Sequence, residues 1–205
     1  MKTVEKPGHA LVEDRKSKFY GGVHPAAAPA EVEAVVADYR ARHPKARHVC
    51  YAYRLWTPDG AAERAFDAGE PRFTAGRPIL NVLRREDVVN AVAVVVRYFG
   101  GILLGKGGLI RAYGRTAREA LENAVLTAFQ PKVIVQAAVP FAMLPTVERF
   151  LQRMQVRVIQ RAFSAQACRF ELEVTDQQQK PLEDYFRRHQ LPYAAGSSLE
   201  SHRPD

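Results

Sequence analysis

Apolar residues run from position 88 to position 96 with Asn90 the only interruption, and a run of this length so rich in Val predicts a strand buried on both faces. It ends at Arg97. Residues 100–108 follow with five glycines and Lys106, a segment whose backbone can take positive φ and approach another chain or an anion closely. Beyond it Leu109, Ala112, Tyr113, Thr116, Ala117, Ala120, Leu121 and Ala124 recur at three- and four-residue spacing. That spacing predicts a helix, with Arg111, Arg115 and Arg118 on a separate stripe and Phe129-Gln130-Pro131 as its break.

Upstream, residues 16–23 read as a strand running into Gly21-Gly22, and His24-Pro25 opens a turn-rich connection. A helix is predicted from Pro29, because Val32, Val35, Val36 and Tyr39 share one face, and His43-Pro44 ends it. Residues 46–55 then alternate Val49, Tyr51, Tyr53 and Leu55 with His48, Cys50, Ala52 and Arg54, the period of a strand with two unlike faces. Pro58-Asp59-Gly60 reads as a turn, and 67–78, poor in pattern and rich in Gly and Pro, as an ordered loop before Ile79-Leu80-Asn81-Val82-Leu83.

After Pro131 the rhythm changes to strand 133–139, helix 145–154, strands 156–163 and 167–174, helix 178–189 and a short final strand within 191–197. This order is the ferredoxin-like split βαβ arrangement. The fold class is therefore α+β in two domains, 1–130 and 131–197, with 198–205 a disordered polar tail.

Charge adds a direction to this layout. Thirty Lys and Arg face 22 Asp and Glu, for a net charge of +8, which favours an anionic partner. Residues 1–130 carry 20 basic and 14 acidic groups (+6) and residues 131–205 carry 10 and 8 (+2), so the excess belongs to the first domain. Cys50 and Cys168 fall in separate strands without a C-x-x-C pattern and read as buried free thiols. The first 14 residues are charged throughout and lack an apolar leader, and no stretch offers 18 uncharged apolar residues, so the expected compartment is the cytoplasm, with no membrane contact.

Three clusters of residues suggest chemistry. Gly100-x-x-x-x-Gly105-Lys106 matches a phosphate-binding P-loop as far as the lysine, but Gly107 stands where a hydroxyl should hold magnesium and Ile102-Leu103-Leu104 make the loop interior apolar. His48 and Cys50 share a strand face without a third orienting residue, which favours a structural role. Asp67 and Glu70, with Thr74 nearby, are candidates for acid, base or metal-ligand roles, set against hydrogen-bonding or helix-capping ones. No metal site or cofactor is expected from the residues alone.

The run RYFGGILLGKGGLIRAYGRTAREAL resembles the signature of the IMPACT family, in its bacterial YigZ branch. His48-x-Cys50-x-Ala52-Tyr53 and the segments Asp67-Ala68-Gly69-Glu70-Pro71 and Thr74-Ala75-Gly76-Arg77-Pro78-Ile79-Leu80 are similar to two further stretches of that family. The sequence departs from it at Ala68, where a second aspartate is usual, and at Arg72-Phe73, where a Ser-Gly pair is usual. The resemblance implies a first domain with a left-handed βαβ unit like ribonuclease PH and domain IV of elongation factor G, and a second like domain V of that factor. It also implies regulation of translation, since eukaryotic members regulate a starvation-activated kinase of initiation.

The functional expectation is a non-enzymatic regulator or accessory protein of translation or stress response, a monomer or weak homo-oligomer whose partner is RNA, the ribosome or a translation factor. Its contact residues are Arg97, Tyr98, Gly100, Gly101, Lys106, Gly107, Gly108, Arg111 and Arg115, with Phe99 assigned to the core. The alternatives are an enzyme binding a phosphorylated small molecule or nucleotide with a metal near Asp67 and Glu70, and a purely protein-binding regulator.

Overall fold

A computed structural model describes residues 1–58 and 60–195, so Asp59 of the expected turn, the end of the expected last strand and the expected tail 198–205 lie outside the described residues. The chain forms two compact units, Met1–Phe129 and a second from Gln130 onward. The first contains β1 (Lys2–Lys6), β2 (Gly8–Asp14), β3 (Ser17–Pro25), α1 (Pro29–Arg42), β4 (His48–Thr57), β5 (Gly60–Phe66), α2 (Gly76–Arg85), β6 (Ala91–Tyr98), α3 (Gly105–Glu122) and β7 (Val125–Ala128).

Five of these strands make one sheet in the order β2-β3-β6-β4-β5, every neighbouring pair antiparallel. The Val-rich run is its central strand and is buried on both faces, as its composition predicts. Alternate residues go to different cores: Ala91, Ala93 and Val95 pack with α2 and α3, whereas Val92, Val94 and Val96 pack with Val32, Val36 and Tyr39 of α1. An unbroken apolar strand is therefore required at this position alone, and the edge strand β5 can be almost wholly exposed, with Glu63 and Arg64 discouraging edge-to-edge pairing.

Three elements differ from the sequence expectation. Residues 76–85 form α2 rather than the end of a loop, because Ile79, Leu80, Val82 and Leu83 all find the core from one helix. The long helix stops at Glu122, and 125–128 leave it to pair with β1 in a separate two-stranded sheet. The charged N-terminus supplies β1 and β2, whose single buried valines, Val4 and Val12, are too sparse to show a period.

On the α1 side, His24 Nε2 lies 2.9 Å from the Tyr39 hydroxyl and the His24 ring meets His9 edge-on at 5.2 Å. Burial, reinforced by His9 and Arg42, holds the His24 pKa down at about 4 against an ordinary 6.5. The unfolded chain takes up this proton below pH 6.5 and the folded chain only near pH 4, so the unfolded state binds more protons between them. Stability therefore falls as pH drops through that window. His24→Gln is expected to flatten the decline, read as melting temperature against pH; an unchanged slope would refute the assignment.

The second unit holds β8 (Lys132–Pro140), α4 (Leu144–Arg153), β9 (Arg157–Phe163), β10 (Ala167–Thr175), α5 (Asp176–Arg188) and β11 (Tyr193–Ala195). Its sheet is antiparallel in the order β11-β8-β10-β9. Val147 and Leu151 of α4 and Leu182 and Phe186 of α5 cover one face of it. The glutamine run after Thr175 has a structural use: Thr175 and Gln178 form a capping box, and the Gln178 amide donates to the carbonyls of Met154 and Gln155.

Candidate functional site

The loop between β5 and α2 is built on Asp67. Its carbonyl accepts the Glu70 amide at 2.9 Å, closing a turn. Its carboxylate accepts three more amides, Phe73 at 2.7 Å on Oδ2, and Ala75 at 3.0 Å and Gly76 at 2.8 Å on Oδ1. Asp67 thus caps α2 from outside the helix, satisfying donors that the N-cap residue Ala75 has no side chain to reach. Thr74 is buried and donates its hydroxyl to the Pro71 carbonyl at 2.7 Å.

Glu70 turns inward. Its Oε1 accepts Arg97 Nη1 at 2.8 Å and the Tyr113 hydroxyl at 2.7 Å, and both charged side chains are over nine-tenths buried. The Cys50 thiol completes the cluster, 3.0 Å from the Asp67 carbonyl and 3.4 Å from the Tyr113 oxygen. Burial pushes the thiol up to about 12 and raises the Tyr113 phenol well above its ordinary value. A thiol so protonated is no nucleophile at neutral pH. His48 stands apart, its Nδ1 3.0 Å from the Ala68 carbonyl, so the shared strand face does not make a thiol–base pair. Because Cys168 is also buried, a thiol reagent at mildly alkaline pH is expected to titrate neither cysteine in the native chain and both after denaturation; rapid native labelling of Cys50 would contradict this burial.

The expected contact residues separate into two groups. Arg97 is not on an exposed rim; it is 7% exposed, paired to Glu70, and its Nε has no partner among the described residues. Tyr98 is half-buried with its hydroxyl 3.1 Å from His43 Nδ1, and Tyr113 is in the core, so neither offers a stacking face there. Phe99, expected in the core, is 57% exposed, with the Arg97 guanidinium 5.5 Å from its ring centre. Gly107 and Gly108 belong to the first turn of α3, which begins at Gly105, so the true loop is shorter than 100–108. Gly100 and Gly101 remain in it, and Lys106, Arg111 and Arg115 are exposed.

Two bonds fix this loop to the hairpin β2–β3, whose two-residue turn Arg15-Lys16 has positive φ at both positions. The Gly100 amide donates to Ser17 Oγ at 3.1 Å and Arg15 Nη1 donates to the Leu103 carbonyl at 3.2 Å. Leu104 then buries while Ile102 and Leu103 point outward, Leu103 with 79% of its surface exposed. Phe73 is another exposed ring, with the guanidinium groups of Arg77 and Arg72 at 4.3 and 5.2 Å from its centre. Both exposed rings, Phe99 and Phe73, thus have guanidinium groups against them. Nothing in residue type marks Phe73 or Leu103 as a surface residue, since apolar type argues for burial and only the local geometry reverses it.

The Impact N-terminal domain family matches residues 15–121, which contain every residue of this cluster. The chain belongs to the IMPACT family. An IMPACT family member in the pol 5'region of Thermus thermophilus is 38% identical over 160 residues, 78% of this chain and 85% of that protein. The IMPACT family member YigZ of Escherichia coli is 35% identical over 160 residues, 78% of each chain. Protein IMPACT of Mus musculus is 35% identical over 98 residues, which span 46% of this chain and 30% of the mouse protein. Among solved structures, a crystal structure of a hypothetical protein shares 29% identity and a TM-score of 0.70 over 97% of this chain and 98% of that one. Among the described residues no helix is long and apolar enough to cross a membrane.

Proposed function

We propose that this IMPACT-family chain is a non-enzymatic accessory protein of translation that contacts RNA, the ribosome or a translation factor through the 99–111 segment. The observation that carries the reading is how charge is distributed around the cluster. Asp67 and Glu70 are engaged by backbone amides, Arg97 and Tyr113, whereas Lys106 and Arg111 are exposed and form no ion pair among the described residues. The α3 N-terminus beside them has no side-chain cap, leaving amides and the helix dipole to favour an anion. Phosphate oxygens held this way are gripped without base readout, so binding is salt-sensitive and sequence-tolerant.

The same engagement argues against metal-assisted chemistry at Asp67 and Glu70, because a cation there would have to break the α2 cap or the buried pair. The finer fold reading belongs to this proposal too. The antiparallel order β11-β8-β10-β9 supports a ferredoxin-like second unit, and the crossover β3–α1–β4 joins two mutually parallel strands separated by β6, as a βαβ unit related to ribonuclease PH and elongation factor G requires.

Binding to a labelled ribosomal RNA fragment tests the reading. Lys106→Ala and Arg111→Ala are each expected to weaken it and to lower the slope of log affinity against log salt by about 0.7–0.9, one phosphate contact each. Unchanged binding in both variants removes this segment as the contact. The exposed Leu103 favours protein contact as a second reading; recovery of a translation factor that survives nuclease treatment, with loss on Leu103→Ser, is its distinguishing result.

A further inference from the structure

A cleft of about 560 Å³ runs between α2 and α3, and neither Glu70 nor Arg97 lines it. Four arginines line it, Arg85 from the end of α2 and Arg111, Arg115 and Arg118 from α3, against two carboxylates, Asp14 and Glu86. All four arginines are exposed, and among the described residues only Arg115 forms an ion pair, with Glu119, which is not part of the lining. Glu86 is already met by Lys2 at 3.6 Å. The cleft therefore keeps an excess of positive charge, with Arg85, Arg111 and Arg118 outside any ion pair among the described residues.

We infer that this α2–α3 cleft binds the phosphodiester backbone of single-stranded RNA. Arg111, Arg115 and Arg118 follow at i, i+4 and i+7, one line along α3 about 10 Å long. That line is long enough to face consecutive phosphates of one strand. Arg85 stands on the opposite wall, so the strand is gripped from both sides. Guanidinium groups suit the task, since their planar donors match phosphate oxygens in pairs. The floor is apolar where Val12 and Pro78 reach it, and Ile110 is exposed at its wall, which suits ribose and base faces better than a bare chain of phosphates. The helices approach closely at Gly114, where an added Cβ would lie 3.8 Å from the Pro78 Cβ, so the cleft stays shallow and open.

The cleft shares Arg111 with the 99–111 contact, so the titration that separates the two leaves Arg111 in place and changes only residues peculiar to each. A fluorescent 20-mer of oligouridine is titrated against the full chain, the Arg85→Gln, Arg118→Gln double variant and Lys106→Ala over a salt series. Four phosphate contacts give a slope of about −2.8 in log affinity against log salt, and the double variant should lose about 1.4 of it and bind about 25-fold more weakly at ~0.1 M salt. Circular dichroism of each variant checks that the exposed substitutions leave the fold intact. The expected loss of slope and affinity in the double variant, with little change in Lys106→Ala, supports the cleft even if the loop reading fails. Equal binding by the double variant and the wild type overturns it, as does no binding by the wild type at low salt. Equal affinity for a poly-glutamate peptide of matched charge, lost in the same variant, also overturns it by assigning the cleft to an acidic protein segment.

Discussion

Arg97→Ala is expected to destabilise the first unit by about 3–5 kcal/mol, the cost of leaving one member of a buried ion pair without its partner. Glu70 would keep only the Tyr113 hydroxyl, inside a cluster where solvent cannot replace the guanidinium. The double replacement Arg97→Met, Glu70→Leu is expected to restore most of the loss, because two apolar groups of similar volume demand no desolvation of charge. Urea unfolding of the wild type and the two variants reads this directly. If Arg97→Ala unfolds at the wild-type midpoint, the pair is not the buried anchor of the loop, and the burial described for Arg97 is incorrect.

Gly100→Ala carries the second large effect. A Cβ at this position would lie 2.0 Å from the Lys16 carbonyl carbon and 2.4 Å from the Ser17 amide nitrogen, both backbone atoms that cannot swing aside. Overpacking of this kind costs about 3 kcal/mol and forces the loop off the β2–β3 hairpin, breaking the Gly100–Ser17 hydrogen bond. Gly101→Ala is the control: nothing lies near its Cβ, and only its φ of 86° resists, so the cost is about 1 kcal/mol. Partner binding should fall in Gly100→Ala even at temperatures where the sheet stays folded. Equal stability of the two variants would show that the loop is not clamped where described.

How far this was legible from sequence depends on whether the determining contact is local. The central strand β6 and the face of α3 could be read because each depends on a period within a few turns of chain. The second unit was legible for the same reason, each helix and strand carrying its own pattern and its own stop. By contrast, Arg97 follows a valine strand and looks like the residue where the chain leaves the core; its partner Glu70 lies 27 positions earlier in a segment with no period. Phe99 read as core and Leu103 as the interior of the loop, yet both side chains are exposed. The role of Asp67 was half visible: a cap was among its options, but capping α2 required knowing that 76–85 is a helix.

Arg85 shows the same limit from another side. On sequence it is one of two adjacent arginines at the end of an unrecognised helix; it joins the α3 stripe only because α2 packs alongside α3. Charge counts located the basic excess in the first domain, yet could not tell a buried Arg97 from an exposed Arg111.

Co-sedimentation of the full chain with ribosomes across a salt series, beside a Lys106→Ala, Arg111→Ala double variant, is the most direct measurement of the proposed role. The expected result is that the wild type pellets with ribosomes at low salt and is released as salt rises, while the variant, folded to the same extent, stays in the supernatant. Equal pelleting of both proteins, or of neither, would contradict a contact made through the N-terminal turn of α3.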